Sequence, residues 1–219
     1  MKKFFLAAVL ALLAPVAIAA GGGDNAHVVK APISLTDKAQ LQRGAQLFMN
    51  YCFGCHSMQY LRYERMANDL DIPLELLPGN LMFNTDKPGS PMLNGLDLVQ
   101  AKKWFGVAPP DLTLEARLRG ADWVYSYLIS FYDDPSRPWG VNNHVFPNVG
   151  MPHVMADMQR SLPEEEFRSS MADITAFMEY AAEPIQVQRM VIGGFVIAFL
   201  LVLLVFAWLM KREFWKDVH

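Results

Sequence analysis

The sequence contains two cysteines. They stand three residues apart with a histidine directly behind, in Cys52-Phe53-Gly54-Cys55-His56. Two thiols at this spacing can each add to one vinyl group of a porphyrin, forming two thioethers. The adjoining imidazole is then held beneath the ring as an axial ligand to iron. C-x-x-C-H is the attachment pattern of c-type haem, and Gly54 is expected to keep the linker unobstructed. Rival chemistries fit less well. A structural zinc site asks for four closed ligands, usually with a second cysteine pair, and the sequence has none. A thiol–disulfide oxidoreductase can use an exported C-x-x-C, but that motif normally follows a strand in an α/β domain, and no strand pattern is evident here. An inert disulfide is the remaining alternative.

An iron that only transfers electrons takes a sixth ligand. The candidates are Met151, Met155, Met158, His144 and His153. A lone methionine is more often core filler than ligand. Gly150-Met151-Pro152 is nevertheless the favoured position, 95 residues beyond His56: the glycine allows close approach and the proline stiffens the loop. A Met/His pair also raises the potential of a haem iron, whereas a second histidine lowers it. His56 needs an acceptor for its other ring nitrogen. A carbonyl in Pro109-Pro110 can supply one, since proline lacks an N–H but keeps its C=O. Arg119 can pair with a haem propionate. The plain alternatives are a turn proline and a surface arginine.

These residues need elements to hold them. Leu41, Ala45, Phe48 and Met49 recur at helical spacing and predict a helix from about Asp37 to Tyr51, capped by Thr36. Gly44 inside it marks a place where another helix comes close. Residues 71–110 are rich in Pro, Gly and Asn and read as loop, with a short helix over 96–105. A brief helical segment ends at Arg119, and the aromatic stretch 121–132 is helical. Residues 135–152 return to loop. Ser161-Leu162-Pro163-Glu164 matches a capping box and opens a helix that carries Phe167, Met171, Ile174, Phe177, Met178 and Ala181 on one face and ends near Pro184. No alternating β pattern or internal repeat is visible. The fold class is all-α, a haem domain with long loops, and a buried cofactor would organise loops of that length.

The two ends of the sequence read as targeting and anchoring. Lys2 and Lys3 precede a short apolar run and Ala17-Ile18-Ala19, the pattern of a cleaved secretory signal over residues 1–20. That run falls short of the ~20 residues a spanning helix needs. Met190 to Met210 is 21 uncharged residues, roughly 31 Å of helix, or one hydrocarbon core. Lys211, Arg212 and Lys216 follow it, which places the tail in the cytoplasm by the positive-inside rule. The expected organisation is a periplasmic haem domain over 21–185, a transmembrane helix over 186–211 and a tail over 212–219. Of the net charge of −3, Lys2 and Lys3 contribute +2 and the tail +1, leaving −6 on the residues between. An acidic domain can steer a basic partner or simply stay soluble; nothing supports nucleic-acid binding.

Taken together, Cys52-Phe53-Gly54-Cys55-His56-Ser57-Met58, Ala108-Pro109-Pro110-Asp111-Leu112-Thr113, Gly150-Met151-Pro152 and a C-terminal anchor followed by Lys211-Arg212 resemble the cytochrome c1 family, the haem subunits of quinol–cytochrome c oxidoreductase (the bc1 complex). The resemblance covers almost the whole mature chain. It implies a cytochrome c-like fold with one covalently bound haem c on Cys52 and Cys55, and His56 and Met151 as axial ligands. It further implies that the Pro110 carbonyl orients His56, that Arg119 meets a propionate, and that Gly44 and Phe48 cross the helix bearing Phe177 and Tyr180. It implies a relay of single electrons from a Rieske iron–sulfur protein to a soluble cytochrome c. The setting would be a dimeric, multi-subunit complex of a bacterial inner membrane, with the anchor helix packed on cytochrome b and in contact with lipid. The stretch between the haem motif and Ala108 is shorter than in mitochondrial members, and the extra cysteine pair of some bacterial members is missing. Two other readings are a tethered cytochrome c serving a terminal oxidase or reductase, and a periplasmic thiol–disulfide oxidoreductase.

Overall fold

Helix α1 (Lys38–Tyr51) turns its apolar stripe, Leu41, Ala45, Phe48 and Met49, into the core. Its cap is Asp37, whose carboxylate accepts from Gln40 N at 3.1 Å. Thr36, the expected cap, lies one residue outside and pairs through its hydroxyl with Ser34; a carboxylate is at least as good an acceptor at this position. The computed structural model describes residues 27–217, so the predicted signal segment lies outside the described residues.

After α1 come strand β1 (Met58–Arg62), helix α2 (Tyr63–Asp69), a 3₁₀ turn (Leu74–Leu76), strand β2 (Pro91–Met92) and helix α3 (Leu98–Phe105). Helices α4 (Glu115–Arg119) and α5 (Ala121–Ile129) follow. They are separated by Gly120, whose φ of 91° suits glycine and few other residues. Strands β3 (Phe131–Asp133) and β4 (Val141–Asn143) then form an antiparallel pair, with Tyr132 opposite Asn142. Helix α6 (Ala156–Ser161), helix α7 (Glu164–Ala182) and helix α8 (Gln186–Phe214) complete the order.

The helical class is as expected, with small corrections besides the cap of α1: β2 and β4 lie within the stretches 71–110 and 135–152 expected to be loop. The aromatic stretch is helical only to Ile129, and Phe131–Asp133 pairs as a strand instead. Strands of two to five residues are too short for alternation to register in a sequence. The capping box also does not form. Ser161 is the last residue of α6, Pro163 caps α7, and no side chain bonds the first turn there. Glu164, Glu165 and Glu166 fill that turn instead, where negative charge suits the positive end of a helix.

Helix α7 crosses α1 at Gly44. A Cβ there would stand 2.0 Å from the carbonyl oxygen of Asp173 and 2.8 Å from Phe177 Cβ, so only glycine permits the approach. Phe48 meets Phe177 across the crossing, with ring centroids 5.6 Å apart. Buried Asp173 accepts two bonds from Arg43, at 2.7 and 3.0 Å, the planar two-point pairing that arginine makes best. This crossing is the frame on which the site is built.

Candidate haem site

The end of α1 makes the first wall. Cys52 caps the helix, and its carbonyl oxygen accepts from the amides of both Cys55 (3.1 Å) and His56 (2.9 Å). That tight turn brings both thiols and the imidazole to one cavity of about 330 Å³, which Met151, Pro110 and Arg119 also line. The volume lies in the range of cofactor sites. The remaining wall is mostly apolar, with Trp123, Tyr127 and Leu128 from α5 and Ile174 and Met178 from α7. All six residues singled out in the sequence thus converge on one place. Gly54 lies between the two cysteines without lining the cavity: a Cβ there meets nothing within 4 Å, so no described neighbour demands glycine.

The Pro110 carbonyl lies 2.7 Å from His56 Nδ1, which makes that nitrogen the donor and leaves Nε2 as the ring nitrogen for a metal. The proline loop cannot drift. Leu112 N donates to the Ser57 carbonyl at 2.9 Å. Asp111 accepts from Gln59 N at 2.8 Å and from Thr113 N and Oγ1 at 3.0 and 2.6 Å. Burial lowers the His56 pKa despite the Pro110 bond, favouring the neutral imidazole that ligates metals.

Cys52 is buried, and that burial, reinforced by neighbouring Cys55, pushes its thiol up to about 12. A redox-active cysteine needs the opposite shift, usually at a helix N-terminus; Cys52 sits at a C-terminus. Cys52 therefore offers the thiol–disulfide reading no activated nucleophile.

The other sixth-ligand candidates are engaged elsewhere. Met155 is buried in the core and Met158 packs against it. His153 stacks on Phe131, with centroids 4.6 Å apart, and bonds Gln159. His144 stacks on Tyr132 at 4.3 Å. Met178 does reach the cavity, which its place on the apolar face of α7 did not announce. Arg119 lines the cavity with its Nε donating to Glu115 at 2.9 Å and its guanidinium 4.3 Å from the Trp123 centroid. A guanidinium has five N–H donors, so this pairing leaves others for an anion.

Three supports went unnoticed in the sequence. Asp111 and Thr113 tie down the proline loop, and an Asp-x-Thr spacing is a readable turn signal. Tyr127 donates its hydroxyl to Met151 Sδ at 3.3 Å, and burial holds the phenol neutral by raising its pKa. Its only trace in the sequence is the spacing of four residues from Arg119 to Trp123 and four more to Tyr127.

The cavity therefore fits a c-type haem by its donor set: two thiols, an imidazole with its second nitrogen already oriented, a thioether and apolar walls. Residues 28–77 and 83–218 match the Cytochrome C1 family model. The chain belongs to the cytochrome c1 family. It is 47% identical to "Cytochrome c1" of Allochromatium vinosum over the full length of both proteins. It is 29% identical to that of Rhodospirillum rubrum, covering 83% of each. A relative named "Ammonia monooxygenase gamma subunit", from Nitrosomonas europaea, is 37% identical over the whole chain and 99% of its own length. Cytochromes c1 carry covalently bound haem c and serve as electron-transfer subunits of the bc1 complex. Among the described residues, α8 is the one helix long and apolar enough to cross a membrane.

Proposed function

We propose that this cytochrome c1 relays single electrons from a Rieske iron–sulfur protein to a soluble cytochrome c. Cys52 and Cys55 would hold a haem by thioethers, and His56 Nε2 and Met151 Sδ would supply the protein ligands to its iron. When bound, the haem supplies a one-electron couple. The chain's own residues orient that group, exclude water and set its potential. The Pro110 carbonyl fixes the plane and tautomer of His56, Arg119 offers charge to a propionate, and the walls from α5 and α7 keep the surroundings apolar.

The cellular arrangement is part of the same proposal. Residues 1–20 direct export, 21–185 form the haem domain in the periplasm, 186–211 span the inner membrane and 212–219 face the cytoplasm. Anchoring raises the local concentration of partners without adding a contact. Cytochrome b and the Rieske protein are those partners, with α8 laid against cytochrome b and lipid in a dimeric complex.

The observation that carries the site assignment is the pairing of His56 Nδ1 with the Pro110 carbonyl beside a cavity that Met151 also lines. One preparation tests the whole reading. The intact assembly is purified from membranes and its subunits identified, and the ferric spectrum is recorded for the natural chain and for Met151→Leu. Co-purification of cytochrome b and the Rieske protein, with the sulfur-to-iron charge-transfer band lost only in Met151→Leu, is the expected result. A band that survives there but vanishes in Met178→Leu moves the ligand to α7. Isolation with an oxidase instead refutes the relay.

A further inference from the structure

Beyond forming part of the wall, Tyr127 has no role in the haem reading, and yet its ring, its hydroxyl and its backbone carbonyl are all engaged. Its ring stacks on Trp123 at 5.3 Å with 8° between planes, and Phe131 meets it edge-on at 5.2 Å. Its backbone carbonyl accepts from the buried Asn143 side chain at 2.8 Å. Trp123 is itself capped by the Arg119 guanidinium. The outcome of this packing is a phenol O–H aimed at Met151 Sδ, 3.3 Å away. We infer that Tyr127 is a positioning residue for Met151, fixing the thioether by one lone pair and weakening it as a donor through the other.

The chemistry is that of a sulfur with two lone pairs. One accepts the phenol proton and the other remains for a metal. A hydrogen bond to sulfur withdraws electron density, so the thioether gives less to a ferric iron, which needs it more than a ferrous one. The reduced state is favoured relative to a site without the hydroxyl. The stack on Trp123 and the Asn143 bond matter because a mobile phenol would turn to other acceptors. This inference rests on Met151 being the axial ligand.

The test uses the full-length chain in its native membranes, with the haem titrated at fixed ambient potentials. Tyr127→Phe keeps the ring and removes the donor. The ferric:ferrous ratio should rise about threefold, equivalent to roughly 28 mV for a one-electron couple, with the sulfur-to-iron band retained. Tyr127→3-fluorotyrosine keeps the shape and makes the phenol a stronger donor, so the ratio should move the opposite way. A ratio unchanged in both variants overturns the inference. So does loss of the band in Tyr127→Phe, since the hydroxyl would then hold up the loop instead of tuning a ligand that stays in place. A shift of the same sign in both variants also overturns it, because that is what a merely structural perturbation gives. The ligand assignment fails separately, by survival of the band in Met151→Leu.

Discussion

At Pro110 the carbonyl that meets His56 is held from behind. The Asp111 carboxylate takes the Gln59 and Thr113 amides and the Thr113 hydroxyl, stitching the proline loop to the strand that follows the haem motif. Asp111→Ala should lower unfolding free energy by about 1–3 kcal/mol, the cost of stranding such donors, as read by denaturation of the oxidised protein. Asp111→Asn keeps one side-chain oxygen and should lose less. The haem motif and the Gly-Met-Pro turn were legible in the sequence because their chemistry lies in residue types at short spacing. Tyr127 and Met178 were not. Each is an ordinary helix residue until the fold turns it toward the cavity, and an aromatic or a methionine on a helix is usually just packing.

The element that sets the site's dimensions is the crossing of α1 and α7. With Asp173's carbonyl 2.0 Å from where a side chain on Gly44 would begin, Gly44→Ala forces the two helices apart. The expected loss is at least ~1–3 kcal/mol from overpacking, seen as a lower melting temperature with the haem still attached. The alanine's better helix propensity, worth about 1 kcal/mol, returns only part of it. Sequence periodicity found both helices and singled out Gly44 as a point of close approach. It misplaced the caps at Thr36 and Ser161, since capping depends on which oxygen reaches the first amides, a matter of one residue of register. The strands stayed hidden for a related reason. They are pairings between very short segments, the longest spanning five residues, and β1 and β2 also lie about thirty residues apart in the chain.

In the whole molecule, the haem domain joins the apolar helix α8 through an ionic elbow. Glu183, just beyond α7, pairs with Arg117 from α4 at 3.2 Å and with Arg189 in α8. Close by, half-buried Glu179 has a raised pKa. Burial is the main cause; Glu183 and Asp122 add to it, while Gln186 and Arg117 oppose it. A carboxyl whose folded pKa lies above its unfolded value favours the fold below the unfolded value, and that contribution is lost as pH rises through the folded one. Glu179→Gln should therefore raise the melting temperature at neutral pH, and the advantage should vanish below about pH 4.5. A variant no more stable than the natural protein at pH 7 would contradict this. The sequence by itself determined the cysteine–histidine spacing typical of c-type haem and the long apolar helix, because both depend on local residue types and on length. Only the tertiary structure decided that Met151 and Met178 share a cavity with His56 while Met155 and Met158 pack in and against the core, which acid braces the proline loop and which phenol meets the sulfur. Those are relations between segments tens of residues apart, and they exist only once α1 and α7 have packed through Gly44.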